Sequence, residues 1–539
     1  MQQKISLKLL PSEAADEAAI KKLLANSSGK KESEIKGFHI LKRSIDARGK
    51  TVWINLTVNA FINEPFHKRK IPKFHFTDVS KAVKRVIIIG AGPAGLFAAL
   101  KLIEQGIKPI ILERGKDVRA RRRDLALLNK EGIINPDSNY CFGEGGAGTY
   151  SDGKLYTRSN KRGDIDRILH LFVYFGAEEN ILYDAHPHIG TNKLPQIITA
   201  MRKKIVECGG EFLFEKKVTD LIITNEKIKA VKTADGLFEA DAYILATGHS
   251  ARDIFILLDS KNILIHAKPF AMGVRIEHPQ SLINNIQYHS NYTDEFLPPA
   301  SYNLIDQVNG KGVFSFCMCP GGIIAPSSTD NGELVVNGWS PSKRNNPFAN
   351  SGIVVQVEME DAIKIIGKMQ PACRQARLAI EKDSPLLLME FQKLIEQKAY
   401  AAGGGKFVAP AQRLVDFVEN KISSSLPDCS YLPGIHSAEI KNILPGFITE
   451  RLKMAFRSFG EKMPARFGGK GYFTNEAVIV ATESRTSSPV RIPRDSETLN
   501  HPQLKNLYPC GEGAGYAGGI VSAAMDGEKI AGKLANVLI

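Results

Sequence analysis

Two cysteines separated by a single residue, Cys317 and Cys319, could carry redox or metal chemistry. Their segment, residues 314–322, reads as a strand, and alternate positions of a strand lie on the same face. Paired thiols can exchange electrons with a redox partner or bind a metal. Two ligands do not complete a zinc site, and the sequence has no second cysteine pair. The pair is therefore interpreted either as redox-active or as small, soft side chains lining a pocket.

Residues 482–491 form a second candidate, because Arg485 and Arg491 alternate there with serine and threonine. Guanidinium groups match carboxylates and carbonyls in geometry and charge, so this strip predicts recognition of an anionic substrate or of a cofactor carbonyl. The alternative is a salt-bridged loop at a domain joint. The residues expected near the reacting atoms are Cys317, Cys319 and Arg485.

These side chains need a scaffold, and residues 86–96 and 110–114 indicate which one. An apolar strand enters a G-x-G-x-x-G turn, a helix follows, and a second apolar strand ends in Glu113. This order is typical of a dinucleotide-binding βαβ unit. Gly90 permits the tight turn, Gly92 lets a pyrophosphate approach, and Gly95 lets the helix pack closely. Glu113 would accept hydrogen bonds from ribose hydroxyls, and the expected contacts also include Pro93, Ala94 and Arg114.

A second glycine-rich turn, in residues 507–520, favours FAD over NAD. It resembles the second flavin motif of FAD enzymes, with Glu512 after Gly511 facing the ribityl or pyrophosphate region. A helix begins after Gly518 and Gly519, and its N–H groups, including that of Ile520, would face the flavin N1–C2=O edge.

Two further segments complete this pattern. The strand that ends in Ala246, Thr247 and Gly248 is typical of FAD-binding Rossmann domains where the chain leaves the cofactor. In residues 215–221, the backbone amide of Val218 is expected against the adenine. The glycine-rich residues 143–154 predict a loop along the pyrophosphate and flavin, with contacts from Gly148, Ser151, Gly153 and Lys154.

Composition indicates a water-soluble globular chain. The 539 residues are 43% hydrophobic and 24% charged, and no apolar run reaches membrane-spanning length. The N-terminus carries no signal-peptide pattern, and seven cysteines without framework spacing predict a cytoplasmic protein with reduced thiols. The net charge of +14 is dispersed, which does not favour nucleic-acid binding. His186 and His188, near Asp184, match no metal motif, so no metal is predicted.

The predicted fold class is α/β. A two-dinucleotide-binding-type FAD Rossmann domain carries an inserted α+β substrate domain and follows a small N-terminal α+β domain. The boundaries are 1–80 for the N-terminal domain, 81–265 for the first Rossmann part, 266–470 for the substrate domain and 471–539 for the return to the Rossmann domain. Within these, Ser12 is expected to cap a helix, and residues 352–369 are expected to be helical. A second G-x-G-x-x-G unit is lacking, so a dedicated NAD(P)H domain is not expected.

Together these motifs resemble the uncharacterised FAD-dependent dehydrogenases of bacteria that have a small N-terminal α/β domain. The resemblance rests on residues 41–48, 143–154, 316–322, 483–492 and 508–527 and covers nearly the whole chain. It implies bound FAD and a two-domain flavoprotein core, but no particular substrate.

The function expected is that of an FAD-dependent oxidoreductase. It would transfer a hydride between flavin N5 and a small organic substrate or NAD(P)H. Two alternatives remain open at this point: a tRNA-modifying flavoprotein, suggested by the charge and the N-terminal domain, and a non-catalytic flavin-binding sensor or assembly factor. The sequence does not indicate an oligomeric state.

Overall fold

The computed structural model describes residues 1–157, 163–289, 294–367, 383–466 and 469–539. Within these ranges, none of the helices is long and apolar enough to cross a membrane.

The N-terminal unit is a three-stranded antiparallel sheet with helices on one face. Its order is β1-β3-β2, and the predicted strand–helix–strand–strand order is confirmed. The expected cap at Ser12 is wrong: the chain breaks between two helices, and Asp16 caps the second by accepting a hydrogen bond from the Ala18 N–H at 2.9 Å. The elements are β1 (Gln2–Leu9), α1 (Pro11–Ala15), α2 (Glu17–Ser28), β2 (Ile35–Asp46) and β3 (Trp53–Ile62).

A five-stranded parallel sheet of order β22-β10-β4-β5-β6 forms the Rossmann core. Its central strands are buried apolar runs, because helices cover both faces of a parallel sheet. The strands are β4 (Arg85–Ile89), β5 (Lys108–Leu112), β6 (Glu211–Leu213), β10 (Ala242–Leu245) and β22 (Leu507–Pro509). The helices are α3 (Pro93–Glu104), α4 (Val118–Glu131), α5 (Ile165–Tyr174), α6 (Leu194–Glu207), α7 (Arg252–Ser260) and α13 (Ile520–Leu538).

Helices α3 and α13 pack together although their sequences lie more than 400 residues apart. Gly527 permits this packing, since a Cβ atom at its position would lie 2.1 Å from the backbone oxygen of Ala94. The two helices that follow the two glycine-rich turns therefore pack against each other.

An antiparallel sheet of three strands joins β6 to β10, and consists of β7 (Asp220–Thr224), β8 (Lys227–Thr233) and β9 (Gly236–Glu239).

A seven-stranded sheet of order β13-β14-β17-β12-β20-β18-β19 dominates the inserted unit. Its strands are β12 (Phe270–Pro279), β13 (Ile305–Val308), β14 (Lys311–Cys319), β17 (Phe348–Val357), β18 (Ala409–Arg413), β19 (Ile435–Ser437) and β20 (Val478–Glu483). The sheet thus takes in a strand beyond residue 470, where the sequence-based division was placed. Its helices are α8 (Gln280–Tyr288), α9 (Met359–Gly367), α10 (Leu387–Ala402), α11 (Leu414–Val418) and α12 (Gly446–Lys462).

The helix expected over residues 352–369 is wrong in its first part. Strand β17 runs through Val357, and helix α9 begins only at Met359. Most of β17 is buried on both faces, so its apolar run lacks the alternation that would distinguish it from a buried helix. The end of the predicted helix lies outside the described residues.

Two small pairings complete the fold. Strand β11 (His266–Ala267) pairs with β21 (Val490–Arg491), and β15 (Ile323–Pro326) pairs with β16 (Val336–Trp339). Short 3-10 turns occupy Glu32–Glu34, Gly146–Gly148, Glu179–Leu182 and Ile440–Asn442.

Candidate functional site

One cavity of about 1240 Å³ lies between the carboxyl ends of the Rossmann strands and the seven-stranded sheet. It exceeds the roughly 300–1,000 Å³ of common small-molecule pockets. Every predicted site residue except Gly95 lines it: Gly90, Gly92, Pro93, Ala94, Glu113, Arg114, Gly148, Ser151, Gly153, Lys154, Val218, Ala246, Thr247, Gly248, Cys317, Cys319, Arg485, Gly511, Glu512, Gly518, Gly519 and Ile520. Segments far apart in the chain therefore meet at one site.

Two glycines of the first turn, Gly90 and Gly95, leave no room for a side chain. A Cβ atom on Gly90, where φ is +107°, would lie 2.5 Å from the Ala246 oxygen. A Cβ atom on Gly95 would lie 2.1 Å from the oxygen of Gly90, so Gly95 serves the packing of helix against strand rather than the cavity wall. Among the described residues no side chain caps the N-terminus of α3, which faces the cavity with the partial positive charge of a helix end.

Glu113 is buried and organises the loops around this turn. Its carboxylate accepts hydrogen bonds from the backbone N–H groups of Ala91, Gly115 and Gly143, each at 2.9 Å. The same side chain lines the cavity. The Glu113 carboxylate therefore holds three loop segments together. That its remaining lone pairs bind ribose hydroxyls is still a prediction.

Arg121 positions the glycine-rich loop and was missed as a site residue. It is fully buried, and its guanidinium donates to the backbone oxygens of Asn139, Tyr140 and Glu144 at 2.8–2.9 Å. Burial without a directly bonded carboxylate lowers its pKa. The signal was present in the sequence, since Arg121 shares a helical face with Leu125 and Leu128, both of them buried.

Replacing Arg121 with glutamine should therefore loosen the loop of residues 139–148. Losing charged hydrogen bonds to buried carbonyls is expected to cost about 2–3 kcal/mol in the free energy of unfolding and to weaken FAD binding at least about tenfold. Denaturant unfolding and FAD titration of the apoprotein measure the two effects. Arg122→Gln, an exposed neighbour on the same helix, is the control; equal behaviour of both variants would contradict this role.

An ion pair stabilises the C-terminal glycine-rich turn, in residues 507–520. Asp526 accepts a hydrogen bond from the Gly511 N–H at 2.8 Å and binds Arg494 through both carboxylate oxygens at 2.7 and 3.0 Å. A Cβ atom on Gly518 or Gly519 would meet nothing within 4 Å, so the N-terminus of α13 opens onto the cavity. Glu512 lies beside His249, with 3.2 Å between Oε1 and Nδ1.

The segments that the sequence predicts near the adenine and near the chain's exit from the cofactor also converge. Val218 lies just before β7, and its N–H has no protein acceptor in the part of the chain that the structure describes. Gly248 follows β10, and a Cβ atom on Gly513 would lie 2.5 Å from the Gly248 oxygen. Open helix ends, close-packed glycines and an unpaired amide are what an extended dinucleotide requires, so the residues present fit FAD.

The two cysteines lie on an irregular part of β14, where the register shifts between Phe316 and Cys319. Cys317 has φ of +46° and opens onto the cavity, whereas Cys319 is buried and donates to the Cys317 oxygen at 3.1 Å. Although Cys317 faces the cavity, it lies deep in the molecule, and burial raises the pKa of both thiols against the opposing effect of Lys154. Both thiols are therefore protonated at neutral pH.

Arg275 lies behind these cysteines and is fully buried. It pairs with Glu483 at 2.5 Å and donates to the Cys317 oxygen at 2.6 Å and to Asn350 at 2.8 Å. The pair fixes the bulged strand, and its charges cancel.

Arg485 lies in the cavity wall, but neighbouring side chains accept the hydrogen bonds of its guanidinium group. It donates to both oxygens of Glu396, at 3.2 and 3.0 Å, and to Thr329 at 2.8 Å. Arg252 of α7 joins the same carboxylate at 2.9 Å and pairs with Glu333 at 2.8 Å. This network joins the Rossmann and inserted units, as in the alternative interpretation of residues 482–491.

Just before the cavity-lining residues His186 and Pro187, Asp184 binds Arg43 through both carboxylate oxygens, at 2.6 and 2.9 Å. The ring Nε2–H of His188 donates to the backbone oxygen of Ser342 at 3.1 Å. Across the described ranges, no group of three or more histidine, cysteine, aspartate or glutamate side chains is placed to hold a metal ion.

Comparison with protein families matches three consecutive parts of the chain. Residues 84–268 match the pyridine nucleotide-disulphide oxidoreductase model, residues 269–486 match the FAD-dependent protein, C-terminal domain-like model, and residues 1–61 match a domain of unknown function.

An uncharacterized protein of Clostridium beijerinckii is 37% identical over 95% of both chains. Among solved structures, glycine oxidase from Bacillus cereus is 13% identical and covers 85% of this chain and 96% of its own, with a TM-score of 0.30. A geranylgeranyl bacteriochlorophyll reductase-like protein from Thermoplasma acidophilum is also 13% identical, with coverage of 84% and 79% and a TM-score of 0.33. The identity and coverage of the first relative, with the family models and the cavity, lead to one conclusion: the chain belongs to a family of FAD-dependent proteins with an oxidoreductase fold, and FAD is its cofactor.

Proposed function

We propose that this protein is an oxidoreductase that transfers a hydride between flavin N5 and a small organic substrate, or between flavin N5 and NAD(P)H. The observation that carries the proposal is the extent of the cavity. It runs from the two glycine turns to the cysteine-bearing strand of the seven-stranded sheet. The cavity therefore extends beyond the residues expected to bind FAD. It includes a wall built by the inserted unit, where a substrate would bind.

Bound FAD supplies the hydride chemistry, and the protein's residues orient and tune it. Glu113 and the α3 N-terminus would hold the ADP half, with the Val218 amide against the adenine. Glu512 would contact the ribityl or pyrophosphate region. The N-terminus of α13, from Gly519 onward, would stabilise negative charge at the N1–C2=O edge.

At the reacting end, Cys317, Cys319 and Phe316 would line the substrate wall beside Lys154. Arg485 would act there as a positioning residue, because its N–H groups hold Glu396 and Thr329. A cytoplasmic location remains a prediction.

An anaerobic titration of the purified protein with NADH and then NADPH tests the proposal by flavin absorbance. Bleaching by either nucleotide supports a reductase and directs the search to electron acceptors. A bound flavin untouched by both indicates that electrons come from a different organic substrate. A protein that holds no flavin, even after FAD is added, would overturn the proposal.

Replacing Cys317 with serine separates the two interpretations of the thiol pair. Because both thiols are protonated, we expect flavin reduction and reoxidation rates to change by less than about tenfold. Anaerobic dithionite titration should show electron uptake by the flavin alone, in the wild-type protein as in the variant. Uptake of two further electrons that disappears in the variant would establish a redox-active pair instead.

A further inference from the structure

The cationic side chains along the cavity differ in how fully the protein neutralises them. Arg485 has an acceptor at each guanidinium nitrogen, and Arg114 lies between Asp137 and Asp253. The charge of Arg344 is neutralised less completely. Its Nη2 donates to Asp152 at 2.8 Å, and its Nε has no acceptor within the described part of the chain.

Lys154 shares the same single carboxylate. Its ammonium donates to the backbone oxygen of Met318 and lies 3.8 Å from the nearer oxygen of Asp152. Burial acts against ionisation of Asp152, but Lys154 and Arg344 outweigh it and lower its pKa, so this carboxylate is charged. Two cations therefore face one anion.

Other titratable groups at this end do not remove the excess charge. Burial and the nearby Arg344 lower the pKa of His188, so its ring is neutral at pH 7. The thiols of Cys317 and Cys319 are protonated, and Arg275 is matched by Glu483. One positive charge is left over at this end of the cavity.

The wall here also carries apolar and aromatic side chains, beside polar ones such as Asn303 and Ser315. Tyr302 comes from the segment before β13, Phe314 and Phe316 come from β14, and Ile305 starts β13. A ligand suited to this wall has an apolar body and a single negative charge at one end. The pyrophosphate of FAD does not need these cations, because the α3 N-terminus serves it at the glycine turn.

We infer that the substrate is a carboxylate with an apolar or aromatic body, and that Arg344 and Lys154 bind its carboxylate group. This inference rests on the proposed function and names the substrate class of the same site. An arginine fork and an ammonium together suit a planar carboxylate, and one excess charge matches a monoanion. Asp152 competes with the substrate for the same two cations.

Binding of phenylacetate and of uncharged phenylacetamide to the flavin-loaded protein tests this, with the shift in flavin absorbance as the readout. We expect the acid to bind at least about tenfold more tightly than the amide. Arg344→Gln should weaken acid binding at least about tenfold and leave amide binding unchanged. Lys343→Gln, which removes the same charge from the exposed neighbour, should change neither.

Asp152→Asn distinguishes anion recognition from damage to the fold, since releasing both cations should tighten acid binding. The ratio of FAD to protein is measured before each titration. Equal affinity for acid and amide, no binding of the acid at its solubility limit, or weaker acid binding in Asp152→Asn would overturn the inference. Loss of FAD from Arg344→Gln would also overturn it, because Arg344 would then serve the cofactor. If the wild-type protein binds no flavin, it is the proposed function that fails.

Discussion

Gly95→Ala is expected to yield a protein that binds FAD much more weakly. The new methyl carbon would lie 2.1 Å from the Gly90 oxygen and 3.1 Å from Cγ2 of Ile88. The first of these is a backbone atom of the turn that is predicted to face the pyrophosphate, so relief requires the turn to open. Overpacking of this kind costs about 1–3 kcal/mol, and we expect the dissociation constant for FAD to rise about 10- to 100-fold.

Fluorescence titration of apoprotein with FAD measures this effect, and far-ultraviolet circular dichroism checks the fold. Gly532→Ala is the matched control, because it also adds a methyl group to a helical glycine, in α13, where only the end of the Lys101 side chain comes within 4.0 Å. That control should be neutral or stabilising by up to about 1 kcal/mol. Unchanged FAD affinity in Gly95→Ala would show that the turn tolerates a wider approach of α3.

Glu396→Gln is expected to lower the free energy of unfolding by about 3–5 kcal/mol. The Glu396 carboxylate is fully buried and accepts hydrogen bonds from Arg252, Arg485 and Ser484. Neutralising it leaves two buried guanidinium groups with Glu333 as the remaining carboxylate between them. Breaking a buried charge network from one side is costly because the other charges stay desolvated.

Urea unfolding of the FAD-loaded proteins tests this prediction. Glu390→Gln on the same helix, α10, makes the same chemical change at a half-buried position and should cost less than about 0.5 kcal/mol. A loss in Glu396→Gln no larger than in this control would mean that water or a shifted side chain already neutralises the arginines.

The cofactor half of the site was predictable from the sequence because its chemistry is local. A tight turn needs glycine at Gly90, close packing needs it at Gly95, and the strand before them is a continuous apolar run. Such requirements act within a few residues. For that reason the turns could be predicted separately, and the structure brings them to one cavity.

Roles that depend on a distant partner could not be predicted in this way. The sequence placed Arg485 in an anion-binding strip, but its partner Glu396 lies 89 residues away, in helix α10. Arg344 carried no local signal, since it lies in a loop and meets Asp152 across 192 residues. The sequence shows which residues are charged. Which of those charges are neutralised depends on neighbours that only the folded structure brings together.

The packing of α3 against α13 has a consequence for synthesis on the ribosome. The first glycine turn is made early, but the Gly527 surface that packs on Ala94 is made more than 400 residues later. A nascent chain stopped anywhere before residue 520 therefore lacks one wall of the cofactor cradle and leaves an apolar face of α3 uncovered. We therefore expect FAD capture to be a late step of maturation, after residues 520–538 have been synthesised.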